Sequence, residues 1–317
     1  MPTFQWVADI GGVAKNHALS QKIREQALAE TRVEQFTDIE PGYGKGKGET
    51  VNIETIITPA IPSDPTLSEG QTIPRDTLTR ATRAITVQEL GRGLEYTNLA
   101  RQLTFYDLKQ KAQWALKEQL RLMMDKLAAD AFKRTQLKYA ATGITTLNKA
   151  LSGTFGASAT VGLTVDHIQQ MRDDLASVYF AAPWDGNFYM GLFATKACTS
   201  LRRDPDWKEP RMYLDPGKAH YEGEIGSIRG VRIVEITHGS AFSGTIGTGS
   251  AFGEGVIFGR DAVAEAVALD PELRLDVPED AGRVQAIVWY GILRFEPVHA
   301  VAPAVAGRAN IIHFGST

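Results

Sequence analysis

Hydrophobic and polar positions change period several times along the chain, and each change predicts an element. From Val13 to about Phe36 the sequence is polar and helix-compatible, with Ala14, Ala18, Ile23 and Ala27 forming a thin apolar stripe. So narrow a stripe cannot make a domain alone and predicts an arm that docks on something else. The run Pro41-Gly42-Tyr43-Gly44-Lys45-Gly46-Lys47-Gly48 then breaks all regularity. Glu49 to Thr58 alternates, with Val51, Ile53, Thr55 and Ile57 on one side, which predicts a strand. A second strand is predicted from Ala84 to Tyr96, interrupted by Gly91 and Gly93. The connection between them, about twenty-five residues rich in Pro, Ser, Asp and Thr, is abnormally long for the inside of a compact domain. A lone two-stranded ribbon is marginal in water, so this pair predicts a ribbon that lies against a neighbouring subunit.

The strongest periodic signal follows. Thr104 and Asp107 form a T-x-x-D helix start, and Leu108, Ala112, Leu116, Leu120, Met123, Leu127 and Ala131 recur at steps of three and four. A helix from Phe105 to about Arg134 would be roughly 45 Å long. Thr146 to Thr160 reads as a Gly/Ser/Thr/Ala-rich loop. Thr164 is predicted to cap a helix from Val165 to Tyr179, with Ile168, Met171, Leu175 and Val178 on one face. A short strand (Asn187 to Ala194), a brief helix (Lys196 to Arg202) and a strand (Gly230 to Thr237) come next. His238 to Gly255 reads as a flexible loop or hairpin tip, Val256 to Phe258 as strand-like, and Asp261 to Ala268 as a short helix. Arg283 to Glu296 predicts a long strand, and Ala309 to Phe314 a closing one. The order is mixed rather than a regular β-α-β alternation, and the expected fold class is α+β.

Composition narrows the function classes. The 317 residues are 43% hydrophobic, enough for a real core and about two units of ordinary size. With 37 acidic against 34 basic residues the formal charge is −3, without the basic excess of a domain that grips nucleic acid by its phosphates. Cys198 is the only cysteine, so no intrachain disulfide and no cysteine-based zinc site can form, and a small buried hydrophobe is its expected role. The N-terminus lacks the basic start and apolar run of a signal peptide. No uncharged apolar stretch approaches the ~20 residues needed to span a bilayer.

Candidate chemistry is sparse. The six histidines never take H-x-x-x-H or H-E-x-x-H spacing, so no metal site is signalled. Asp173-Asp174 is an acidic pair on a predicted helix, where adjacent side chains point apart and a solvated face is expected. Gly44 to Thr50 fails the G-x-x-x-x-G-K-[ST] pattern of a phosphate loop and precedes a strand. Gly247-Thr248-Gly249-Ser250 lacks a dinucleotide-binding frame, and no G-x-S-x-G elbow occurs. Leu201 to Lys208 alternates acidic and basic residues and reads as a surface loop forming salt bridges. No nucleophile, catalytic base, cofactor or metal is nominated.

Several short stretches carry a resemblance. They are Gly46-Lys47-Gly48-Glu49-Thr50-Val51, Leu67-Ser68-Glu69-Gly70, Ala84-Ile85-Thr86-Val87, Asp125-Lys126-Leu127-Ala128-Ala129-Asp130 and Gly223 to Arg232. Their order and spacing, over most of residues 40–317, resemble the Hong Kong 97-type capsid subunit of tailed bacteriophages, and within it the branch grouped with the phage N4 major capsid protein. The resemblance implies an arm over 1–45 and an extended loop over 46–97. It implies a peripheral domain with a spine helix over 98–162 and 281–317, and an axial domain over 163–280. It also implies a structural, non-enzymatic role: self-assembly into pentamers and hexamers of an icosahedral shell that encloses DNA without sequence-specific binding. The implied location is the virion, assembled in the host cytoplasm, with separate scaffolding, portal and decoration proteins as further partners.

One chain forming both pentamers and hexamers needs joints, and the glycine-rich segments 42–48 and 143–162 are expected to supply them. Arg75, Arg80 and Arg83 in the ribbon are expected either to pair with acids on a neighbouring subunit or to stand in solvent and contribute little. Two other readings stay open on the sequence: an encapsulin-type compartment holding a cargo enzyme, and a soluble enzyme with an unrecognised site in 163–280.

Overall fold

The computed structural model describes residues 31–40, 43–44, 46–57, 59, 61–62, 64–67, 69–70, 72–103, 107–211, 224–242, 253–275, 283–299 and 309–317. The expected arm helix falls almost wholly outside them, as do Thr104 and the loop centred on 243–252. After a 3-10 turn at Glu34–Phe36 come the strands β1 (Asp38–Ile39), β2 (Thr50–Ile57), β3 (Thr79–Thr86) and β4 (Gln88–Thr97), then the helices α1 (Asn98–Leu103) and α2 (Leu108–Phe132). The hairpin β5 (Leu137–Gly143) and β6 (Thr146–Ala150) leads to α3 (Val165–Asp173), β7 (Tyr189–Ala194), α4 (Thr195–Leu201) and α5 (Pro205–Arg211). The chain continues through β8 (Glu224–Ile228), β9 (Val231–Ile236), β10 (Gly253–Phe258), β11 (Val263–Leu275), β12 (Val284–Pro297) and β13 (Ile311–Ser316).

The strands form a seven-stranded mixed sheet, β6-β5-β13-β10-β7-β9-β8, a four-stranded sheet, β1-β11-β12-β4, and the isolated ribbon β2-β3. In the large sheet β7, β10 and β13 are buried at every position, the mark of strands covered on both faces. Alternate residues of these strands feed two separate cores. Met190, Leu192, Val256, Phe258 and Ile311 meet Met124, Ala128 and Phe132 of α2. Tyr189, Phe193, Ile257, Ile312 and Phe314 meet Ile168 and Met171 of α3 together with Cys198 and Trp207.

Helix α2 binds the two sheets into one body. Its first half lays Ala112 and Leu116 on Tyr96, Ile287 and Trp289 of the four-stranded sheet. Its second half enters the core of the large sheet. Asp107 caps it by accepting the Lys109 and Gln110 backbone N–H groups at 3.0 and 3.3 Å. The helix has 25 residues, about 37 Å, shorter than expected because it begins after this cap rather than at Phe105.

Other expectations are corrected by pairing that a local reading cannot see. Asp261 to Ala268 is no helix: Val263 to Leu275 pairs antiparallel with β12, and that ladder overrides the helix preference of its alanines. Register shifts between Val267 and Glu272 accommodate Pro271 within the strand. The second ribbon strand is Thr79–Thr86. The stretch after Val87 is a different strand, β4, paired with β12. Gly91 and Gly93 do not interrupt β4; a Cβ on Gly93 would lie 2.6 Å from Val288 Cγ1, so glycine permits the close strand approach. The expected loop from Thr146 begins as strand β6, and β10 starts at Gly253, inside the expected loop 238–255. Helix α3 ends at Asp173 and continues as a π turn, Asp174–Val178. Leu201 to Lys208 is the end of α4 and the start of α5: Asp204 accepts the Val165 N–H at 2.9 Å, and Trp207 is buried.

Candidate functional site

The ribbon is the feature least explained by the chain's own packing. Strands β2 and β3 pair from Thr50↔Thr86 to Ile57↔Thr79 and, among the described residues, bond to no other strand. At its root Val51, Ile53 and Ile85 pack on Ala264 and Ala266 of β11. Farther out, packing stops: Ile56, Leu67 and Leu78 are exposed, as are Ile61 (94%) and Ile73 (67%). Apolar side chains gathered on one projecting segment mark a surface for association.

The root is held by charge. Glu296 of β12, 12% exposed, meets Arg83 of the ribbon at 3.3 Å, Arg134 just past α2 at 2.5 Å and Arg294 of its own strand at 2.8 Å. Arg294 also donates to Gln88, beside the joint between β3 and β4. One carboxylate therefore ties the ribbon, the long helix and the four-stranded sheet together. No sequence motif could mark this cluster, because its members are scattered from Arg83 to Glu296.

Of the three ribbon arginines expected to face a neighbour, Arg83 thus has an acid within its own chain. Arg80 meets Glu54 across the ribbon at 3.2 Å, both side chains more than half exposed. Arg75 is exposed and has no charged partner among the described residues.

A second anchor holds the chain entering from the N-terminal side. Asp125, wholly buried in α2, accepts the backbone N–H groups of Arg32 and Val33 at 2.9 and 2.7 Å and meets His238 Nδ1 at 3.1 Å.

A buried polar chain links three strands of the large sheet. Lys138 Nζ meets His313 Nδ1 at 2.7 Å, and His313 Nε2 meets Glu254 at 2.7 Å. Lys138 also donates to the Lys133 carbonyl. Burial pushes His313 down to about 4 and Lys138 down to about 8. A lysine ammonium donating to Nδ1 leaves the imidazole neutral, with its Nε2–H directed at Glu254. Phe155 packs edge-on against His313, with ring centroids 5.1 Å apart. The arrangement sits inside the sheet and braces β5, β13 and β10. Burial pushes the Cys198 thiol up to about 12, so it is an unreactive part of the core. Asp173 and Asp174 do diverge: Asp173 meets Arg172, and Asp174 meets Lys149 at 2.6 Å. Among the described residues no cluster of His, Cys, Asp and Glu could hold a metal. No described helix is long and apolar enough to cross a membrane.

A projecting ribbon, a long spine helix and an α+β lobe define the Hong Kong 97-type fold. No family model matches the chain, and no curated protein matches it in sequence. Solved structures match it over its whole length. The head structure of Helicobacter pylori bacteriophage KHP40 aligns with a TM-score of 0.69 over 100% of both chains, at 13% identity. The capsid of cyanophage Pam1 aligns at 0.65 over 98% of this chain and 99% of that one, at 16% identity. The capsid of Ralstonia phage GP4 aligns at 0.65 over 98% and 97%, at 13% identity. At such identities the likeness is one of fold.

Proposed function

We propose that this chain is the major capsid protein of a tailed bacteriophage, a structural subunit without catalytic activity. It assembles into pentamers and hexamers of an icosahedral shell that encloses double-stranded DNA. The observation that carries this reading is the match of fold, over 98–100% of the chain, to phage head and capsid structures. The exposed isoleucines and leucines of the ribbon add a physical reason: a monomer that kept them in water would be prone to association.

In this reading residues 1–45 act as an arm and 46–97 as the extended loop. Residues 98–162 with 281–317 form the peripheral domain around the spine helix, and 163–280 the axial domain. The resemblance of the stretches from Gly46 to Val51 and from Gly223 to Arg232 is what supports the branch grouped with the phage N4 capsid protein. Arg75, Arg80 and Arg83 pair with acids of a neighbouring subunit in the shell, Arg80 and Arg83 by sharing or exchanging their present partners. Assembly takes place in the host cytoplasm, with separate scaffolding, portal and decoration proteins. The shell holds because an arm and a ribbon give each subunit several neighbours, so modest contacts add through avidity.

Negative-stain electron microscopy and sedimentation of the purified chain test the proposal. Closed shells, or rings of five and six, are expected, with DNA inside particles recovered from infected cells. Shells that hold a protein cargo instead would move the reading to an encapsulin-type compartment. A compact monomer or dimer that stays so at high concentration would overturn it.

A further inference from the structure

Among the described residues the two larger sheets protect every edge except one. In the seven-stranded sheet the outer strands β6 and β8 have five residues each, and each carries a register shift against its neighbour. In the four-stranded sheet the edge of β11 is met by the two-residue β1, and beyond it register shifts and Pro271 break the line. Short strands, bulges and proline are the devices that keep an edge from pairing with another chain.

Strand β4 has none of them. It runs for ten residues without proline or lysine and pairs with β12 from Gln88↔Leu293 to Thr97↔Val284 without a shift. On its other side no strand is bonded to it among the described residues, and Glu89 and the run from Gly91 to Glu95 are exposed. Alternate residues of a strand turn their N–H and C=O groups to each side, so this edge offers solvent a row of backbone donors and acceptors. Leu90, Arg92, Leu94 and Tyr96 share the face toward α2, where Leu90 and Tyr96 pack with Trp289 and Leu94 is left 37% exposed.

We infer that the β4 edge pairs antiparallel with the β4 edge of a second copy of this chain, about a two-fold axis through Gly93, joining two four-stranded sheets into one. The inference rests on the assembly reading above and names one junction of the shell. Charge selects the register. Two symmetric registers keep all but one residue of the strand paired. Centred on Arg92, the strands would set Arg92 against Arg92 and Glu89 against Glu95, and like charges directly opposite repel. Centred on Gly93, Arg92 faces Leu94, Leu90 faces Tyr96 and Glu89 faces Thr97, with no like charges opposed. The helices fit as well. Helix α2 lies mainly over β12, so the pairing sets two such helices on one face, three strand spacings or about 14 Å apart. Packed helices need about 8–10 Å, so the two clear each other, and Leu90 and Leu94 of both copies fill the trough between them.

Register-specific cross-linking and charge variants test it. Arg92 and Leu94 are exposed, so their substitution spares the fold. Facing residues of an antiparallel pair are close enough for a disulfide. Chains carrying Arg92→Cys are co-assembled with chains carrying Leu94→Cys and treated with oxidised glutathione, and the buried Cys198 stays out of the reaction. Covalent dimers are expected from the mixed particles, in up to half of the chains, and not from particles of either variant alone. Leu94→Lys sets a cation against the partner's Arg92 and should lower particle yield about tenfold, whereas Leu94→Glu offers that arginine a carboxylate and should not. Mixed particles that yield only monomers, dimers that form equally from one variant alone, or equal yields of the two Leu94 charge variants overturn the junction and leave the assembly reading standing. A chain that forms no particle under any condition overturns both.

Discussion

The Asp125 carboxylate accepts the Val33 backbone N–H at 2.7 Å across 92 positions of sequence. The same oxygen takes the Arg32 N–H, and the other meets His238. Replacing Asp125 with alanine leaves two backbone donors without their acceptor in a buried site. The expected loss is about 3 kcal/mol of unfolding free energy, with Asp125→Asn losing less because one acceptor oxygen survives. Urea unfolding followed by circular dichroism measures both, and equal losses would refute the account.

At the ribbon root, Glu296→Gln removes the charge shared by Arg83, Arg134 and Arg294 and leaves three cations crowded together. A destabilisation of about 1–3 kcal/mol is expected, with faster tryptic cleavage of the ribbon arginines. Arg80→Ala breaks only the exposed pair with Glu54 and should cost no more than about 0.5 kcal/mol. Limited proteolysis of the two variants side by side separates a root that positions the ribbon from a merely exposed ribbon.

Acid should find His313. Its folded pKa of about 4 lies below the ordinary 6.5, so the unfolded chain takes up the proton first. The contribution of this group is full above pH 6.5, falls as pH drops through the window from 6.5 to 4, and amounts to roughly 3 kcal/mol. Glu265, whose pKa is raised, acts in the opposite sense: its contribution is present at low pH and is lost as pH rises through the folded pKa. The difference in urea midpoint between the native chain and His313→Gln isolates the histidine. It should narrow steadily from pH 7 to pH 4, and a difference independent of pH would count against a buried neutral imidazole.

Packing makes one further demand. A Cβ on Gly255 would lie 2.5 Å from Phe314 Cζ and 2.9 Å from the Leu192 carbonyl oxygen, while one on Gly44 meets nothing within 4 Å. Gly255→Ala should therefore cost about 1–3 kcal/mol and Gly44→Ala almost nothing, read as thermal midpoints.

The long helix, the Thr164 cap and the first ribbon strand were legible because each rests on local signals: periodicity, a capping side chain, alternation beside a proline-rich loop. Thr164 accepts the His167 N–H while His167 Nδ1 takes the Thr164 N–H. Strand β11 was illegible because its Ala-rich start carries helix preference, and its pairing with distant β12 from Val263↔Pro297 to Leu275↔Ile287 decides otherwise. The glycines of β4 and β10 misled for a related reason. A residue that permits close approach looks, without its neighbour, like one that breaks a strand. Arg75, Arg80 and Arg83 could be picked out by position and charge. The role of Glu296, which holds one of them, and the open edge of β4 emerge only once distant segments meet.

Both anchors described above fasten to the far end of a single rod. Asp125 grips the incoming chain in the last third of α2, and Arg134, immediately beyond its end, grips the ribbon through Glu296. A helix of this length resists bending, so tilting it swings both appendages through linked arcs. In the proposed shell, curvature at one seam would thereby be communicated to the next, as by a lever with two handles.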